Sequence, residues 1–406
     1  MDSNNRRINI KIITLDAFPI GMATTNRIMS YAKGFVDNNC NVSVHCIKPT
    51  ENHNQVFNKL SSGIVDGIYF KYSSGKTIKN SKYLNRQIDN FNGVLRICID
   101  ILKEKKSDKT DAIIYYATSS SLAFLLFFIT RLKNILFLKE ENEIPDVHTK
   151  NKFLLNKFLF NRIHYTLPDG LLLMTKRLIK YFKEEKKIKK PFLHVPMTVD
   201  FDRFNNIKIK NNTNKYIAYC GELNNKKDGV DLLIDAFAIL TKDFPDLSLF
   251  LIGNAASDEE LQLYKKKIIQ YQLSKKVLLT GRISKDAIPE LLCNATLLAL
   301  ARPESPQAEN GFPTKLGEYL ATGKPVVVTS VGEIPNYLTN EINVFMAEPG
   351  SINSLVSKIK TILLDYSHAL EIGENGKKVA IEHFNNLTQA KNILNFIKSF
   401  TTSVIL

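Results

Sequence analysis

The segment at residues 303–328 combines residue types that suit the binding of a phosphorylated nucleoside. A loop rich in Pro and Gly leads into a predicted helix that begins at Thr314 and is capped by Gly323. The backbone N–H groups of Gly311–Lys315 are predicted to point outward at the helix start, which makes an anion site. Glu318 lies one turn inside the helix, where its carboxylate could accept hydrogen bonds from a ribose diol. The alternative is a structural turn and helix, which gives no account of this Glu.

A second candidate for phosphate binding is the polar loop at residues 221–229. A strand is predicted to end at Gly221, and a helix is predicted to begin near Gly229. Lys226 and Lys227 lie between them, where amines beside a helix N-terminus would neutralise a diphosphate together with the helix dipole. The alternative is an ordinary solvated loop, because lysine is abundant in this chain.

Both segments need parallel strands to position them, and the hydrophobic pattern predicts two series of strands separated by helices such as Thr24–Val36 and Val230–Leu240. The predicted strands are Lys11–Leu15, Val42–Ile47, Ala112–Tyr116, Ile135–Leu138, Tyr216–Cys220, Leu247–Ile252, Val277–Leu279, Thr296–Ala299 and Val326–Thr329. This alternation predicts an α/β protein with parallel sheets, and right-handed crossovers make each half a doubly wound, Rossmann-like domain. Ligands of such sheets bind beyond the carboxyl ends of the strands.

The polar run around residues 196–214 predicts an interdomain linker. The first domain is predicted to cover residues 1–197 and to be closed by a C-terminal helix at about 388–406. The second is predicted to cover residues 198–387.

Composition narrows the classes of function. The 406 residues include 55 Lys and Arg against 40 Asp and Glu, and this net charge of +15 favours anionic partners. No aromatic and basic module accompanies the charge, so nucleic-acid binding is not expected. The five scattered cysteines form no CxxC pair, which favours reduced thiols in the cytoplasm. No apolar stretch approaches the ~20 residues that span a bilayer, and no signal peptide is expected.

Two further features can each be interpreted in two ways. Gly21 follows the first strand, and its missing side chain either allows a ligand to approach closely or simply permits a tight turn. The stretch Asn151–Tyr165 is basic and amphipathic, so it predicts either a helix on an anionic membrane surface or a core-facing helix.

Missing motifs exclude several other enzyme classes. The sequence has no GxGxxG after the first strand, no GxxxxGK[ST], no HExxH and no GxSxG. Dinucleotide dehydrogenases, P-loop NTPases, zinc proteases and α/β-hydrolases therefore lose their main support.

Four segments together resemble the family 4 retaining glycosyltransferases of GT-B fold. Residues 311–327 look like the signature segment of that family, and residues 221–231 look like its donor-diphosphate loop. Residues 192–204 resemble its interdomain segment, and residues 139–145 resemble an acidic segment of the N-terminal domain in some members. The resemblance implies two Rossmann-like domains that face a central cleft, with the donor in the C-terminal domain and the acceptor in the N-terminal domain.

The resemblance also implies roles for individual residues. It places Lys227, Lys315 and Asn310 in catalysis, and it implies that no metal takes part. The residues implied in donor binding are Gly221, Lys226, Glu309, Gly311, Phe312, Pro313, Thr314 and Glu318. The residues implied on the acceptor side are Gly21, Glu141 and Glu143.

The sequence departs from the family pattern at three places. The family pattern has two Glu residues with seven residues between them. At the position of the first Glu this chain has Asn310, with Glu309 one place earlier. Many members have a basic residue directly after the Gly of the diphosphate loop, where this chain has Glu222. The catalytic His of many members has no clear counterpart, and we interpret the nearby His148 as a surface residue.

The function that follows is transfer of a sugar from a nucleoside-diphosphate sugar to an acceptor hydroxyl with retention of configuration, without a cofactor. Cell-surface polysaccharide or glycolipid assembly is the common setting of the family, which implies a sugar or lipid-linked sugar as acceptor and a location at the inner face of the cell membrane. Three alternatives remain: a nucleotide-sugar epimerase, a sugar phosphorylase of the same fold, or a two-domain sugar-binding protein without catalysis.

Overall fold

The computed structural model describes residues 6–145, 160, 162–205, 207–209 and 215–402. The chain divides into two compact units, Met1–Thr198 with Asn386–Leu406, and Val199–Asn385. Among the described residues, no helix is both long enough and apolar enough to cross a membrane.

The first unit is built on an eight-stranded sheet in the order β3-β4-β2-β1-β5-β6-β7-β8. All neighbouring strands are parallel except β3 and β4, which form an antiparallel hairpin at one edge. The strands are β1 (Asn9–Thr14), β2 (Asn41–Cys46), β3 (Ser62–Val65), β4 (Ile68–Tyr72), β5 (Ala112–Tyr116), β6 (Leu136–Glu141), β7 (Gly170–Leu173) and β8 (Phe192–His194). The helices that precede the second unit are α1 (Ala23–Asp37), α2 (Tyr83–Leu102), α3 (Ser120–Lys133) and α4 (Lys176–Lys180).

Side chains on opposite faces of this sheet enter two separate cores, because successive residues of a strand point to opposite faces. Ile12 faces the core that α1 helps to form, and Ile13 faces the core that α2 and α3 help to form. The sheet is therefore covered by helices on both faces, as the sequence predicts.

The second unit contains a six-stranded, wholly parallel sheet in the order β11-β10-β9-β12-β13-β14. The strands are β9 (Tyr216–Cys220), β10 (Ser248–Ile252), β11 (Val277–Gly281), β12 (Leu297–Leu300), β13 (Val326–Thr329) and β14 (Phe345–Ala347). The helices are α5 (Asn225–Asp228), α6 (Val230–Leu240), α7 (Asp258–Gln270), α8 (Ile288–Cys293), α9 (Pro306–Asn310), α10 (Thr314–Ala321), α11 (Ile352–Leu364) and α12 (Tyr366–Phe384). This is the strand order of the Rossmann fold. In that fold the order in which strands are added reverses direction between the first and fourth strands, here β9 and β12.

The last described helix, α13 (Asn386–Thr402), packs against α1 and so belongs to the first unit. Gly34 of α1 permits this contact, because a Cβ there would lie 2.5 Å from the carbonyl oxygen of Asn386. The apolar stripe of α13, which includes Ile393 and Ile397, is buried in the same core as Ile12.

Candidate nucleotide-sugar site

The reversal point of the second sheet lies between β9 and β12, and the loops that follow these strands define the candidate site. The chain turns out of β9 at Gly221, which has a φ of 153°. The N–H of Gly221 donates to the carbonyl of Ile252 at 2.9 Å. A Cβ on Gly253 would lie 1.9 Å from the carbonyl oxygen of Gly221. These two glycines therefore let the ends of β9 and β10 meet closely.

Lys315, in the first turn of α10, reaches the end of β9. Its Nζ forms an ion pair with Asp228 and donates a hydrogen bond to the hydroxyl of Tyr219 at 2.7 Å. The hydroxyl of Tyr219 in turn donates to Asp228, the ion-pair partner of Lys315, at 2.9 Å. A Cβ on Gly221 would lie only 2.6 Å from this Nζ, so the absence of a side chain at Gly221 makes room for the lysine.

Cations act on both Asp228 and Lys315. Burial alone would raise the pKa of this carboxyl, but Lys315 and Arg302 hold it below its ordinary value. The pKa of Lys315 is lowered, first by burial and further by Lys227 and Arg302, against the opposing effect of Asp228. Lys315 and Arg302 therefore act on Asp228, while Lys227 and Arg302 act on Lys315. Cations grouped at the carboxyl ends of parallel strands are suited to a ligand with several negative charges.

Lys227 and Lys226 differ in their surroundings. The predicted polar loop contains the short helix α5, which carries both lysines and is capped by Asn224, whose side chain accepts from the N–H of Lys227 at 3.0 Å. Lys227 is half-buried and acts electrostatically on Lys315, whereas Lys226 is exposed. Among the described residues, no contact joins Lys226 to the cluster around Lys315.

Glu318 follows Lys315 by three residues on α10, so both side chains lie on the same side of the helix. Its carboxylate forms an ion pair with Arg203, from the 3-10 helix Phe201–Phe204. Arg203 also donates to the carbonyl of Lys285 at 3.2 Å, which fixes the guanidinium. Both side chains of the pair stay about one-fifth exposed, at 20% for Arg203 and 22% for Glu318. A partly exposed carboxylate held one turn from a cationic cluster has the geometry expected for a hydroxyl acceptor.

The residues at the start of α10 are buried or half-buried. Pro313 has no N–H, and Gly311 and Phe312 are buried. The ring of Phe312 packs against Tyr337 and Phe384, with centroids 5.7 and 5.3 Å away, so the ring itself belongs to the core. Thr314 and Lys315 are half-buried, and no described side chain caps the helix.

The residues at the family's sugar-facing position lie on the short helix α9. The side-chain amide of Asn310 donates to the carbonyl of Pro306 at 2.6 Å, and Asn310 is partly exposed. Glu309 is exposed, and no contact among the described residues connects it to Lys315. The structure therefore brings Gly221, Lys227 and Lys315 together, but it leaves Glu309 outside this cluster.

Sequence reasoning missed two cations of the site. Arg302 is only 3% exposed and is the second residue after the end of β12. Its Nη2 donates to the carbonyl of Gln307 at 3.4 Å, and its own carbonyl accepts from Thr329 at 2.6 Å. A basic residue two places after a strand at the reversal point was the available signal. No local pattern pointed to Arg203, because its partner Glu318 is 115 residues away.

In the first unit, the loop between β1 and α1 holds Gly21. A Cβ on Gly21 would lie 1.9 Å from Oγ1 of Thr25. That hydroxyl donates to the carbonyl of Ala17 at 2.6 Å. The space of the missing side chain is therefore filled by Thr25, which favours the tight-turn interpretation of Gly21.

The acidic segment at the end of β6 is tied into the sheet. Glu141 accepts from Tyr165 at 3.0 Å and lies 3.2 Å from the amine of Lys139. Glu140 forms a fully buried ion pair with Arg27, at 2.6 Å. Glu143 is half-buried. Glu141 thus has partners within its own unit, so the predicted acceptor role is not apparent from its contacts.

A buried histidine lies near this segment. His164 is fully buried, and its Nε2 is 3.1 Å from the hydroxyl of Ser120, the first residue of α3. Burial lowers the pKa of His164 to about 3, and the neighbouring Lys139 acts in the same direction. The imidazole is therefore neutral at physiological pH. The predicted surface residue His148 and most of the stretch Asn151–Tyr165 lie outside the described residues.

The fold matches solved glycosyltransferase structures over almost the whole chain. Sucrose-phosphate synthase from Thermosynechococcus elongatus is 14% identical with a TM-score of 0.74, covering 98% of this chain and all of that chain. HepE of Anabaena, in complex with UDP, is 15% identical with a TM-score of 0.69, covering 97% of this chain and all of that chain. Another structure of HepE holds UDP-glucose. The fold is therefore that of the GT-B glycosyltransferases, with two Rossmann-like domains.

The family-model match lies within the second unit. Residues 200–379 match the family model of glycosyl transferases group 1. An uncharacterized glycosyltransferase of Methanocaldococcus jannaschii, MJ1178, is 31% identical over 153 residues, which are 37% of this chain and 39% of that protein. The chain spans less than half the length of the curated relatives that it matches.

Proposed function

We propose that this protein is a glycosyltransferase that moves a sugar from a nucleoside-diphosphate sugar to an acceptor hydroxyl. The observation that carries the proposal is the cluster of Lys315, Lys227 and Arg302 at the reversal point of a Rossmann-like sheet. A diphosphate carries several negative charges, which such a group of cations can bind through charge-assisted hydrogen bonds. The family match covers the same part of the chain, and the similar protein HepE was solved with UDP and with UDP-glucose.

The diphosphate is proposed to bind above Gly221, against the amines of Lys315 and Lys227. Neither a P-loop nor a GxGxxG motif supplies backbone N–H groups here, so side-chain cations carry most of the charge. Among the described residues, no group of three or more His, Cys, Asp or Glu side chains could hold a metal ion. We propose that these cations suffice to stabilise the leaving diphosphate, whose negative charge increases in the transition state.

Glu318 is proposed to bind the ribose of the donor. Its carboxylate is partly exposed and lies on the same side of α10 as Lys315. A ribose beside the diphosphate can donate two hydroxyl hydrogen bonds to one carboxylate. Because Arg203 pairs with Glu318 and is itself held by the carbonyl of Lys285, the carboxylate is oriented before the ligand arrives.

In the proposed reaction, the bond from the anomeric carbon to the diphosphate oxygen breaks and a bond to the acceptor oxygen forms. The acceptor proton passes to an oxygen of the leaving diphosphate, so no separate base is required. Transfer through that oxygen places the acceptor on the face that the leaving group occupied, and the configuration is retained. Asn310, at the family's sugar-facing position, is proposed to bind sugar hydroxyls through its amide.

The acceptor is proposed to be a sugar or a lipid-linked sugar in cell-surface polysaccharide or glycolipid assembly, at the cytoplasmic face of the membrane. The net charge of +15 supports contact with anionic surfaces. Gly21, Glu141 and Glu143 remain the proposed residues of the acceptor side.

The test is an assay of donor turnover with UDP-, GDP- and ADP-sugars, with and without EDTA, and with simple glycoside acceptors. We expect one donor base to be preferred, and nucleoside diphosphate to be released together with the glycoside product. EDTA should have no effect, and NMR should show that the product has the anomeric configuration of the donor. Glu318→Gln should raise KM for the donor by about tenfold, the loss of one charged hydrogen bond. An acceptor-independent change of the sugar would instead establish an epimerase, and a requirement for inorganic phosphate would establish a phosphorylase.

A further inference from the structure

The outer surface of α2 carries an apolar stripe that the fold of the chain leaves exposed. Its members recur every three or four residues, which is one face of a helix. They are Leu84, Ile88, Phe91, Leu95, Ile99 and Leu102. The opposite face, with Ile97 and Ile101, is buried against the sheet. Both faces of the helix are therefore apolar, although only one of them is buried against the sheet.

Helix α3 continues this surface. Its exposed side chains include Phe124, Leu125, Phe128 and Leu132, and Phe128 is 55% exposed. Helices α2 and α3 contact each other on the same face of the sheet. Lys133 at the end of α3 donates to the carbonyl of Leu102 at 2.9 Å, which joins the ends of the two helices. The two stripes, called here the α2–α3 face, form an exposed apolar surface of a kind that usually marks a binding site.

The charges around the α2–α3 face are mainly positive. The exposed charged residues of α2 are Arg86 and Arg96, and α3 has no acidic residue. The two acidic residues of α2 are engaged elsewhere, since Asp89 is only 5% exposed and pairs with Lys76, and Asp100 pairs with Lys71. The remaining exposed lysines at the two ends of α2 are Lys82, Lys103, Lys105 and Lys106.

A basic cavity opens at the N-terminal end of α2. It has a volume of about 290 Å³ and is lined by Lys48, Pro49, Lys79, Tyr83, Arg86, Gln87 and Asn90. None of the lining residues is acidic, and its three cations form no ion pair with a described residue. The cavity adjoins the first exposed apolar side chains of α2, with Tyr83 65% exposed.

We infer that the α2–α3 face binds the surface of an anionic lipid bilayer, with a lipid phosphate in the basic cavity and the apolar stripes among the acyl chains. The combination of an apolar face with a basic border is the requirement for a helix that lies in a membrane interface. An acidic protein partner would match the basic border but would leave the apolar side chains without an apolar counterpart. The inference rests on α2, α3 and the basic cavity beside α2, so it is independent of the transferase chemistry.

The test is co-sedimentation of the full chain with vesicles of phosphatidylcholine alone and with vesicles that also contain phosphatidylglycerol. We expect binding to the anionic vesicles only, and weaker binding as salt increases. Lys79→Gln combined with Arg86→Gln should weaken binding by roughly thirtyfold, at about 1 kcal/mol for each cation. Phe91→Ser combined with Phe128→Ser should weaken it at least as strongly.

Matched controls lie in the second unit, where Ile269 and Leu364 are also exposed apolar residues and Lys265 and Lys266 are exposed lysines. Ile269→Ser with Leu364→Ser, and Lys265→Gln with Lys266→Gln, should leave vesicle binding unchanged. All variants should keep the wild-type response to nucleoside diphosphates, which separates this inference from the proposed activity.

Two other occupants of the face give different outcomes. If a second copy covers it, Phe91→Ser with Phe128→Ser will convert a dimer to a monomer in sedimentation velocity without lipid. If residues 146–159 of the chain cover it, the same variant will lower the melting temperature and leave vesicle binding unaltered. Either result, or equal binding to neutral vesicles, overturns the inference.

Discussion

Asp228 and Lys315 form an ion pair at the carboxyl end of β9, although they are 87 residues apart in the chain. Asp228 is only 1% exposed, and its second oxygen, Oδ1, has no hydrogen-bond partner among the described residues. A buried carboxylate in this state depends on its cation, because an uncompensated charge in a protein interior is costly. The pair therefore links the stability of the second unit to the cluster that we propose binds the diphosphate.

Removing the cation of this pair should destabilise the protein. Lys315→Met leaves Asp228 buried without its ion-pair partner, and we expect the free energy of unfolding to fall by about 3–5 kcal/mol. Adding Asp228→Asn removes the stranded charge and should restore most of that loss. Nucleoside-diphosphate binding should stay absent in both variants. Chemical denaturation with parallel ligand titrations measures the two effects, and recovery of binding in the double variant would refute the role of Lys315.

A methyl group at Gly221 should displace Lys315 without removing any charge. Gly221→Ala places Cβ against Nζ of Lys315 at a positive φ, so we expect diphosphate affinity to fall by at least tenfold. The backbone cost is about 1–3 kcal/mol of stability. Gly350→Ala is the control, because Gly350 also has a positive φ, 73°, but a Cβ there meets nothing within 4 Å. Equal affinity in the two alanine variants would contradict the account.

Lys227 and Lys226 allow a comparison of neighbouring lysines. Lys227→Gln should lower diphosphate affinity by about ten- to a hundredfold, the loss of one charged hydrogen bond. Lys226→Gln should change it by less than about twofold, since an exposed charge in water is strongly screened. Isothermal titration of both variants makes the comparison. Equal losses would mean that net charge alone, rather than a placed amine, attracts the ligand.

The pH dependence of stability should report on His164. Its pKa is about 3 in the folded state against an ordinary value of 6.5, so the unfolded chain takes up the proton first as the pH falls. The contribution of the neutral His164 to the free energy of unfolding is therefore fully present above about pH 6.5. It is lost progressively towards about pH 3, by about 2 kcal/mol between about pH 7 and pH 5. His164→Gln should remove this part of the pH dependence.

His368, which is exposed, provides the matched control for that measurement. His368→Gln should retain the wild-type slope of unfolding free energy against pH. A slope that is unchanged in His164→Gln would show that other groups cause the acid sensitivity.

Much of the fold could be predicted from the sequence because strands such as β9 and β13 are fully buried and strongly apolar. β5, β9 and β13 have the bounds that the hydrophobic pattern predicts, and α6 does as well. Strands β7, β8 and β14 were missed, and β8 and β14 have only three residues each. The hairpin of β3 and β4 was missed although Asp66 and Gly67, both at positive φ, form the two-residue turn that signals one.

The loops of the candidate site could be predicted from the sequence, but the ion pairs between its residues could not. Gly221, Lys227 and Lys315 carry local signals, since each lies where a strand or loop meets a helix. The ion pair of Arg203 with Glu318 depends on how the chain folds over more than a hundred residues, and no local pattern encodes it. The roles of the individual site residues remain predictions for the experiments above.

The most direct test of the central claim is titration calorimetry of the wild-type protein and of Lys315→Met/Asp228→Asn with UDP, GDP and ADP, with EDTA present. We predict that one nucleoside diphosphate binds the wild-type protein without a metal ion, and that none binds the double variant although it remains folded. Absence of binding to the wild-type protein, or equal binding to both proteins, would contradict the claim that this lysine cluster holds the donor diphosphate.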